Sequence, residues 1–444
     1  MKTYLIILLF IFCSTAYGSF HIYPQEPQKV GELIKLAEDF LDTLTRGDFT
    51  TATANFDDTM KKVMSPDQLE RTWKSVLSTA GQFKNRVSVK TDKVQGYDVV
   101  IITCEFEKSP IDAKVVFNTS KQIAGLSLNP SYMPPGYAKR DSFTEREITV
   151  GEGEWAVPGT LSLPKGKGPF PALVLVHGSG PNDRDESYGP NKTFRDLAWG
   201  LASQGVAVLR YEKRTKQHGA KFITLKEGLT VKEETTDDAL AAATLLRKTE
   251  GIDPKRVFVL GHSLGGMLIP RIGRLDPAIK GLIVFAGPTR PLEDLIPEQF
   301  NYIFSLDGTI TEAEKTEIER TKKQAERVKA LKDEDASSSA LIFGAPARYW
   351  LDLRGYSPQQ VAKELKQPML ILQGERDYQV TMQDFDGWQK ALSGEKRVTL
   401  KSYPQLNHHF VEGQNKSVPA EYQTPGHVSE EVITDIARWI NSQQ

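Results

Sequence analysis

The sequence predicts an α/β protein: a doubly wound, mostly parallel sheet carrying a helical cap, preceded by a small α+β domain. Three observations lead there. At 444 residues the chain is too long for one ordinary core, which points to two domains. From residue 143 onward strand-like and helix-like stretches alternate behind a leading antiparallel hairpin, the rhythm of a sheet wound with helices on both faces. Finally, Val257-Phe258-Val259-Leu260 reads as a buried strand and runs without a break into Gly261-His262-Ser263-Leu264-Gly265-Gly266.

The chain opens with features of a processed leader. Met1-Lys2 is positive, residues 4–12 form a short apolar run, and Ala16-Tyr17-Gly18 places small residues where signal peptidase requires them, so residues 1–18 read as a signal peptide cleaved after Gly18. That predicts export, periplasmic or secreted, without a stable membrane span, because the run is too short to cross a bilayer. The alternative is a lipid anchor on Cys13, which places bulky Phe12 where such processing needs a small residue. A formal net charge of −1 gives no electrostatic case for nucleic acid or an anionic membrane as partner. With the leader removed, Cys104 is the remaining cysteine; it lies in the strand-like run 99–104 and reads as a small buried hydrophobe.

Residues 27–131 read as the small domain. Val30, Leu33, Ile34, Ala37, Phe40, Leu41 and Leu44 recur at helical spacing, and Arg46-Gly47-Asp48 ends that helix. A second helix is expected over 49–60. A third starts at the cap Ser65, with Pro66 in its first turn and Gln68 completing a capping box, and stops at Gly81. Strands follow at 83–89, 97–106, 113–117 and 123–128. Helices first and an antiparallel sheet afterwards resemble the cone-shaped nuclear-transport-factor-two-like fold, with Leu36, Phe40, Phe49 and Phe56 at the apolar positions of its helices. The resemblance implies packing or substrate positioning, not catalysis.

The Pro- and Gly-containing stretch 132–142 reads as a linker, and 143–444 as the larger domain. Its strands are expected at 143–150, 155–163, 172–176, 206–209, 257–260, 279–285, 368–372 and 397–403, with helices at 193–204 and 235–249 among them. The rhythm breaks between Phe285 and Pro368, where a helical cap at about 290–360 is expected. There Thr309-Ile310-Thr311-Glu312 reads as a capping box opening a charged helix, with Glu319 and Lys323 at i,i+4 spacing. Phe300, Tyr302, Phe304, Phe343, Tyr349 and Trp350 would either line an apolar cap suited to an uncharged organic substrate or pack the cap onto the body.

The chemistry gathers at strand ends. Gly261 to Gly265 match G-x-S-x-G, a turn that lifts the Ser263 hydroxyl above the sheet at the N-terminus of the next helix. The strand 172–176 ends in His177-Gly178-Ser179-Gly180-Pro181-Asn182-Asp183-Arg184-Asp185, a loop whose backbone can approach a reacting carbonyl. The amides of Ser179 and Leu264 are the expected oxyanion donors, with His177 bracing the loop. Asp377, on the loop of Gly374-Glu375-Arg376-Asp377, is the expected acid, with Glu375 as the alternative. His408 in Asn407-His408-His409-Phe410 is the expected base, with His409 as the alternative and Phe410 as a buried anchor. His262 reads as packing, His218 and His427 as solvent-facing, and Asp384 and Asp386 as surface charges. No phosphate-binding loop, H-E-x-x-H or cysteine pair is present, so no cofactor and no metal is implied.

The order Ser263, Asp377, His408, with these motifs, resembles the α/β-hydrolase superfamily, in its exported esterase and dienelactone-hydrolase-like branch, from about residue 143 to 440. Ser263 departs from dienelactone hydrolases proper, which use cysteine. The resemblance implies a Ser-His-Asp acyl-enzyme mechanism on a small-molecule ester. Two alternatives stay open: an exported serine amidase or aminopeptidase, and a non-catalytic binding protein on a hydrolase scaffold.

Overall fold

The computed structural model describes residues 27–94, 96–222, 229–338 and 340–443; the expected leader, with Cys13 and the cleavage point after Gly18, lies outside the described residues. Within them no helix is long and apolar enough to cross a membrane. The chain divides into two compact units that meet between Met133 and Pro134.

The smaller unit begins with helix α1 (Pro27–Thr45), whose Leu33, Ala37, Phe40, Leu41 and Leu44 form one buried stripe. The single helix expected over 49–60 is instead a pair, α2 (Phe49–Ala54) and α3 (Asp58–Val63). The break has a cause: Phe56 is buried and bridges Ile123 of the sheet, and Asp57 caps the second helix by accepting from the Met60 amide at 2.8 Å. Helix α4 (Pro66–Ala80) is capped by Ser65 and stops at Gly81. Strands β1 (Phe83–Val94), β2 (Tyr97–Phe106), β3 (Ile111–Phe117) and β4 (Ile123–Pro130) form an antiparallel sheet in sequential order. Alternation puts Val100, Ile102, Cys104 and Phe106 in the core with the helices, so Cys104 is a buried thiol.

The larger unit begins earlier than expected. Within the predicted linker, the Tyr137 hydroxyl already donates to the Val428 carbonyl at 2.7 Å and the Arg140 guanidinium stacks 4.0 Å from the Trp199 ring. Strands β5 (Phe143–Val150), β6 (Val157–Pro164), β7 (Phe170–Val176), β8 (Ala207–Tyr211), β9 (Ile252–His262), β10 (Gly281–Phe285), β11 (Met369–Gly374) and β12 (Val398–Tyr403) make an eight-stranded sheet in the order β12-β11-β10-β9-β7-β8-β6-β5. The β5–β6 and β6–β8 pairs are antiparallel and the others parallel. Helices α5 (Thr193–Ala202), α6 (Asp237–Arg247) and α7 (Leu264–Leu275) cover the sheet, so Leu173 to Val176 and Val257 to Leu260 are buried on both faces, as continuous apolar runs require.

Between β10 and β11 the chain makes α8 (Leu292–Ser305), α9 (Glu312–Ala330), α10 (Ala347–Leu353) and α11 (Pro358–Glu364), the helical insertion expected there. The capping box lies two residues later than read from the sequence. Thr311 and Glu314 cap one another reciprocally, because Thr309 is drawn to Asp307, whose carboxylate accepts from its amide at 3.1 Å. Glu319 pairs with Lys322 rather than Lys323. Phe300, Phe343, Tyr349 and Trp350 are buried as packing. On the other side of the insertion, α8 lies across the loop after β11: Tyr302 stacks on Tyr378 at 5.1 Å and Gln299 donates to the Gln379 carbonyl at 2.9 Å. Helices α12 (Met382–Leu392) and α13 (Glu430–Ser442) complete the unit.

Candidate active site

Parallel strands end at one edge of the sheet, and the loops there converge. At the end of β9, Ser263 takes φ 54° and ψ −117°, a strained turn held by its amide donating to Phe285 of β10 at 2.9 Å. The flanking glycines are steric necessities. A Cβ on Gly261 would meet the Gly265 backbone at 2.3 Å, and one on Gly265 would meet the Val176 carbonyl oxygen at 2.4 Å. Glu186, Ala286 and Phe410 around the same edge also have positive φ.

Asp377 sits just past β11 with its carboxylate saturated. Oδ1 accepts from the Gln379 and Val380 amides at 2.7 and 3.1 Å, and Oδ2 faces His408 Nδ1 at 2.5 Å and Gln373 Nε2 at 3.2 Å. Gly374 allows this approach, since a Cβ there would lie 2.5 Å from the Asn407 carbonyl oxygen. The loop bearing His408 is shaped by Asn407, whose side-chain oxygen accepts from the His409 and Val411 amides, and anchored by Phe410 stacked 3.7 Å from Phe285. Arg376 is buried and binds the Gln414 and Asn415 carbonyls and Glu421, tying the acid loop to the histidine loop.

The remaining candidates are placed elsewhere. Glu375 is exposed and accepts from Ser402. His409 is turned onto Thr193 at 2.9 Å, and burial, with His262 and His408 nearby, pushes its pKa well below the usual histidine value. His218 and His427, expected to face solvent, are half-buried: His218 donates to the Ala156 carbonyl at 2.8 Å and His427 lies 3.2 Å from the Asp196 carboxylate. Asp384, expected at the surface, is buried and accepts from Arg290 and Thr289, closing the entry to the insertion onto α12. Asp386 is exposed.

The glycine loop after β7 lies against the serine: a Cβ on Gly178 would stand 3.2 Å from Ser263 Cβ. The Gly178 amide is engaged, donating to Glu186 Oε1 at 2.8 Å, so Ser179 carries the next amide along the loop. Leu264 opens α7, where a backbone N–H has no acceptor within its own helix. His177 braces the loop by donating from Nε2 to the Asp183 carbonyl at 3.0 Å; burial lowers its pKa to about 4, so it is neutral.

His262 does more than pack. Its Nδ1 lies 2.8 Å from Glu186 Oε2 and its Nε2 3.0 Å from the His408 carbonyl oxygen. Carboxylate and carbonyl only accept, so both ring nitrogens carry hydrogen and the ring is an imidazolium. Burial opposes that charge, but the Glu186 carboxylate and both hydrogen bonds outweigh it and raise the His262 pKa. Burial would likewise raise Glu186, yet His262 brings it down to about 2. This buried ion pair joins the glycine loop, the serine turn and the histidine loop.

Residues 170–414 match the family described as "Serine aminopeptidase, S33", and residues 37–126 match one described as "Protein of unknown function (DUF3887)". The chain is 39% identical over 405 residues to Esterase EstD of Thermotoga maritima, covering 90% of this chain and 93% of the relative. Among solved structures, Est1E from Butyrivibrio proteoclasticus aligns with a TM-score of 0.42 at 16% identity, covering 67% of this chain and 98% of that one. The Pyrococcus furiosus esterase PF2001 aligns with a TM-score of 0.42 at 15% identity, covering 71% and 97%.

Proposed function

The chain belongs to the serine aminopeptidase S33 family of α/β-hydrolases, and from that premise we propose that it is a serine carboxylesterase working through an acyl-enzyme. The observation that carries the reading is the buried 2.5 Å contact of Asp377 with His408 Nδ1, on loops that converge with the strained Ser263 turn. The acceptor-only carboxylate keeps a proton on Nδ1 and leaves Nε2 free to take the Ser263 proton as the hydroxyl attacks an ester carbonyl. The amides of Ser179 and Leu264 receive the oxyanion, His408 then protonates the leaving alcohol, and water releases the acid by the same route. The esterase name of the relative that spans nearly the whole chain supports an ester over an amide. Purified protein is expected to hydrolyse p-nitrophenyl acyl esters and Ser263→Ala to abolish this; full activity in that variant would refute the assignment.

The family description favours one second reading, cleavage of an amide or an aminoacyl bond. Aminoacyl-p-nitroanilides turned over faster than short acyl esters would establish it. Failure of a fluorophosphonate to label Ser263 would favour a binding protein instead. Export follows from residues 1–18 as a proposal, tested by the N-terminal mass of the protein recovered outside the cytoplasm.

A further inference from the structure

Lys213 lies two residues past β8 and its side chain is 2% exposed, a rare place for an ammonium. Two contacts hold it there. Nζ donates to Glu234 Oε1 at 2.7 Å and to the Gly178 carbonyl oxygen at 2.7 Å. Glu234 is equally buried, and its other oxygen accepts from the Tyr349 hydroxyl of α10 at 2.8 Å. The chain Tyr349–Glu234–Lys213 thus ends on the carbonyl of Gly178. The same peptide unit carries the Ser179 N–H, the donor assigned to the oxyanion hole. Asn182 adds a weaker contact from the same side, donating to Gly178 O at 3.2 Å and to Ser179 O at 3.0 Å.

We propose that Lys213 is a positioning residue of the oxyanion hole: its ammonium, oriented by Glu234 and Tyr349, fixes and polarises the Gly178–Ser179 peptide so that the Ser179 N–H meets the developing oxyanion without reorganising. The inference rests on the esterase reading and deepens it. A cation on the peptide oxygen draws density from nitrogen and strengthens the N–H as a donor, an effect that grows where water is excluded. A donor fixed in advance favours the charged transition state over the neutral ester, so the benefit appears in kcat. Only backbone atoms are available for this grip at Gly178, because a side chain there would press on Ser263 Cβ. Glu186 takes the amide and Lys213 the carbonyl, so residue 178 is held by opposite charges at its two polar atoms.

The test uses the full chain with a p-nitrophenyl acyl ester, comparing the wild type with Lys213→Met and the double variant Lys213→Met/Glu234→Gln. Lys213→Met removes the cation but strands a buried carboxylate, so its melting temperature falls as well. The double variant neutralises both groups and recovers the melting temperature. The expected result is kcat about 10- to 100-fold down in both variants with KM little changed. Affinity for a trifluoromethyl ketone, which mimics the oxyanion, should fall by the same factor while affinity for the product carboxylic acid does not. Recovery of kcat together with the melting temperature in the double variant would overturn the proposal and leave Lys213 a structural residue. So would wild-type kcat and ketone affinity in Lys213→Met. An inactive wild type, or an active Ser263→Ala, would instead overturn the esterase reading and this inference with it.

Discussion

Replacing Glu186 tests whether the ion pair under the site is what binds its loops together. The carboxylate accepts from the Gly178 amide at 2.8 Å and from His262 Nδ1 at 2.8 Å, with almost no exposure to water. Glu186→Ala strands a buried imidazolium and a buried amide at once, and breaking such a pair costs about 3–5 kcal/mol. Glu186→Gln is different. Its carbonyl can keep the Gly178 amide, and its NH2 then faces Nδ1, which turns acceptor if His262 gives up a proton. The neutral ring still donates from Nε2 to the His408 carbonyl, so every partner is retained without charge, and outside the pH range where the pair is fully charged the cost is about 1 kcal/mol. Urea unfolding followed across pH reads the difference. Glu186 is depressed to about 2 from 4.5, so its contribution is full above pH 4.5 and is lost as pH falls through 2. His262 is raised above 6.5, so its contribution is full below 6.5 and fades as pH rises through the raised value. The stability gap between wild type and Glu186→Gln is therefore widest between pH 4.5 and 6.5. Equal destabilisation by Ala and Gln, or a gap that does not vary with pH, would refute the imidazolium.

Further outcomes follow from the same geometry. His177, neutral with a pKa near 4 against an ordinary 6.5, makes acid cost the folded state about 3 kcal/mol as pH falls from 6.5 to 4, a loss that His177→Gln should remove while keeping a donor to the Asp183 carbonyl; pH-dependent melting checks it. Asp377→Asn keeps an oxygen for the Gln379 and Val380 amides, so it should fold, but its NH2 drives His408 into the tautomer that cannot accept the Ser263 proton; steady-state assays should show kcat down about 10⁴-fold. Gly265→Ala drives a methyl to 2.4 Å from the Val176 carbonyl oxygen, and thermal melting should show a loss of about 3 kcal/mol or more; unchanged melting would contradict the packing of the elbow.

The residues proposed to react stand out in the sequence because each sits in a local context with its own signature. Ser263 and Asp377 follow the buried apolar runs 257–260 and 369–372, and Gly261, Gly265 and Gly374 beside them mark close backbone approaches, whereas His408 follows the edge strand β12 and stands out through the pattern Asn407-His408-His409-Phe410. Their order along the chain then named the superfamily. Elements failed to read where tertiary contacts override local pattern. Phe56 splits a helix because the sheet captures it, and Asp384 lies in a charged helical stretch yet turns inward because Arg290 comes from another segment to meet it. His262 had no readable signal, since its partner Glu186 is 76 residues away in sequence.

The frame behind the site was hidden for a related reason, one that says how the site is built. Glu186, Lys213 and Glu234 stand in the runs Asp183-Arg184-Asp185-Glu186, Glu212-Lys213-Arg214 and Lys232-Glu233-Glu234, which as sequence look like solvated surface. Buried charge is normally a weak source of stability, because desolvation offsets the attraction. Here, however, Gly178 itself offers no side chain to pack. A Cβ on Gly178 would stand in tight contact, 3.2 Å from Ser263 Cβ, and the glycine's N–H and C=O are the grip it offers. A peptide gripped through those atoms in a dry interior is oriented most firmly by formal charges of the matching sign, a carboxylate on the amide and an ammonium on the carbonyl. Each charge needs its own counter-charge, which His262 and Glu234 supply. The two buried ion pairs thus meet on the polar atoms of one glycine, and they link the elbow, the histidine loop and the helical insertion through His262 and Tyr349.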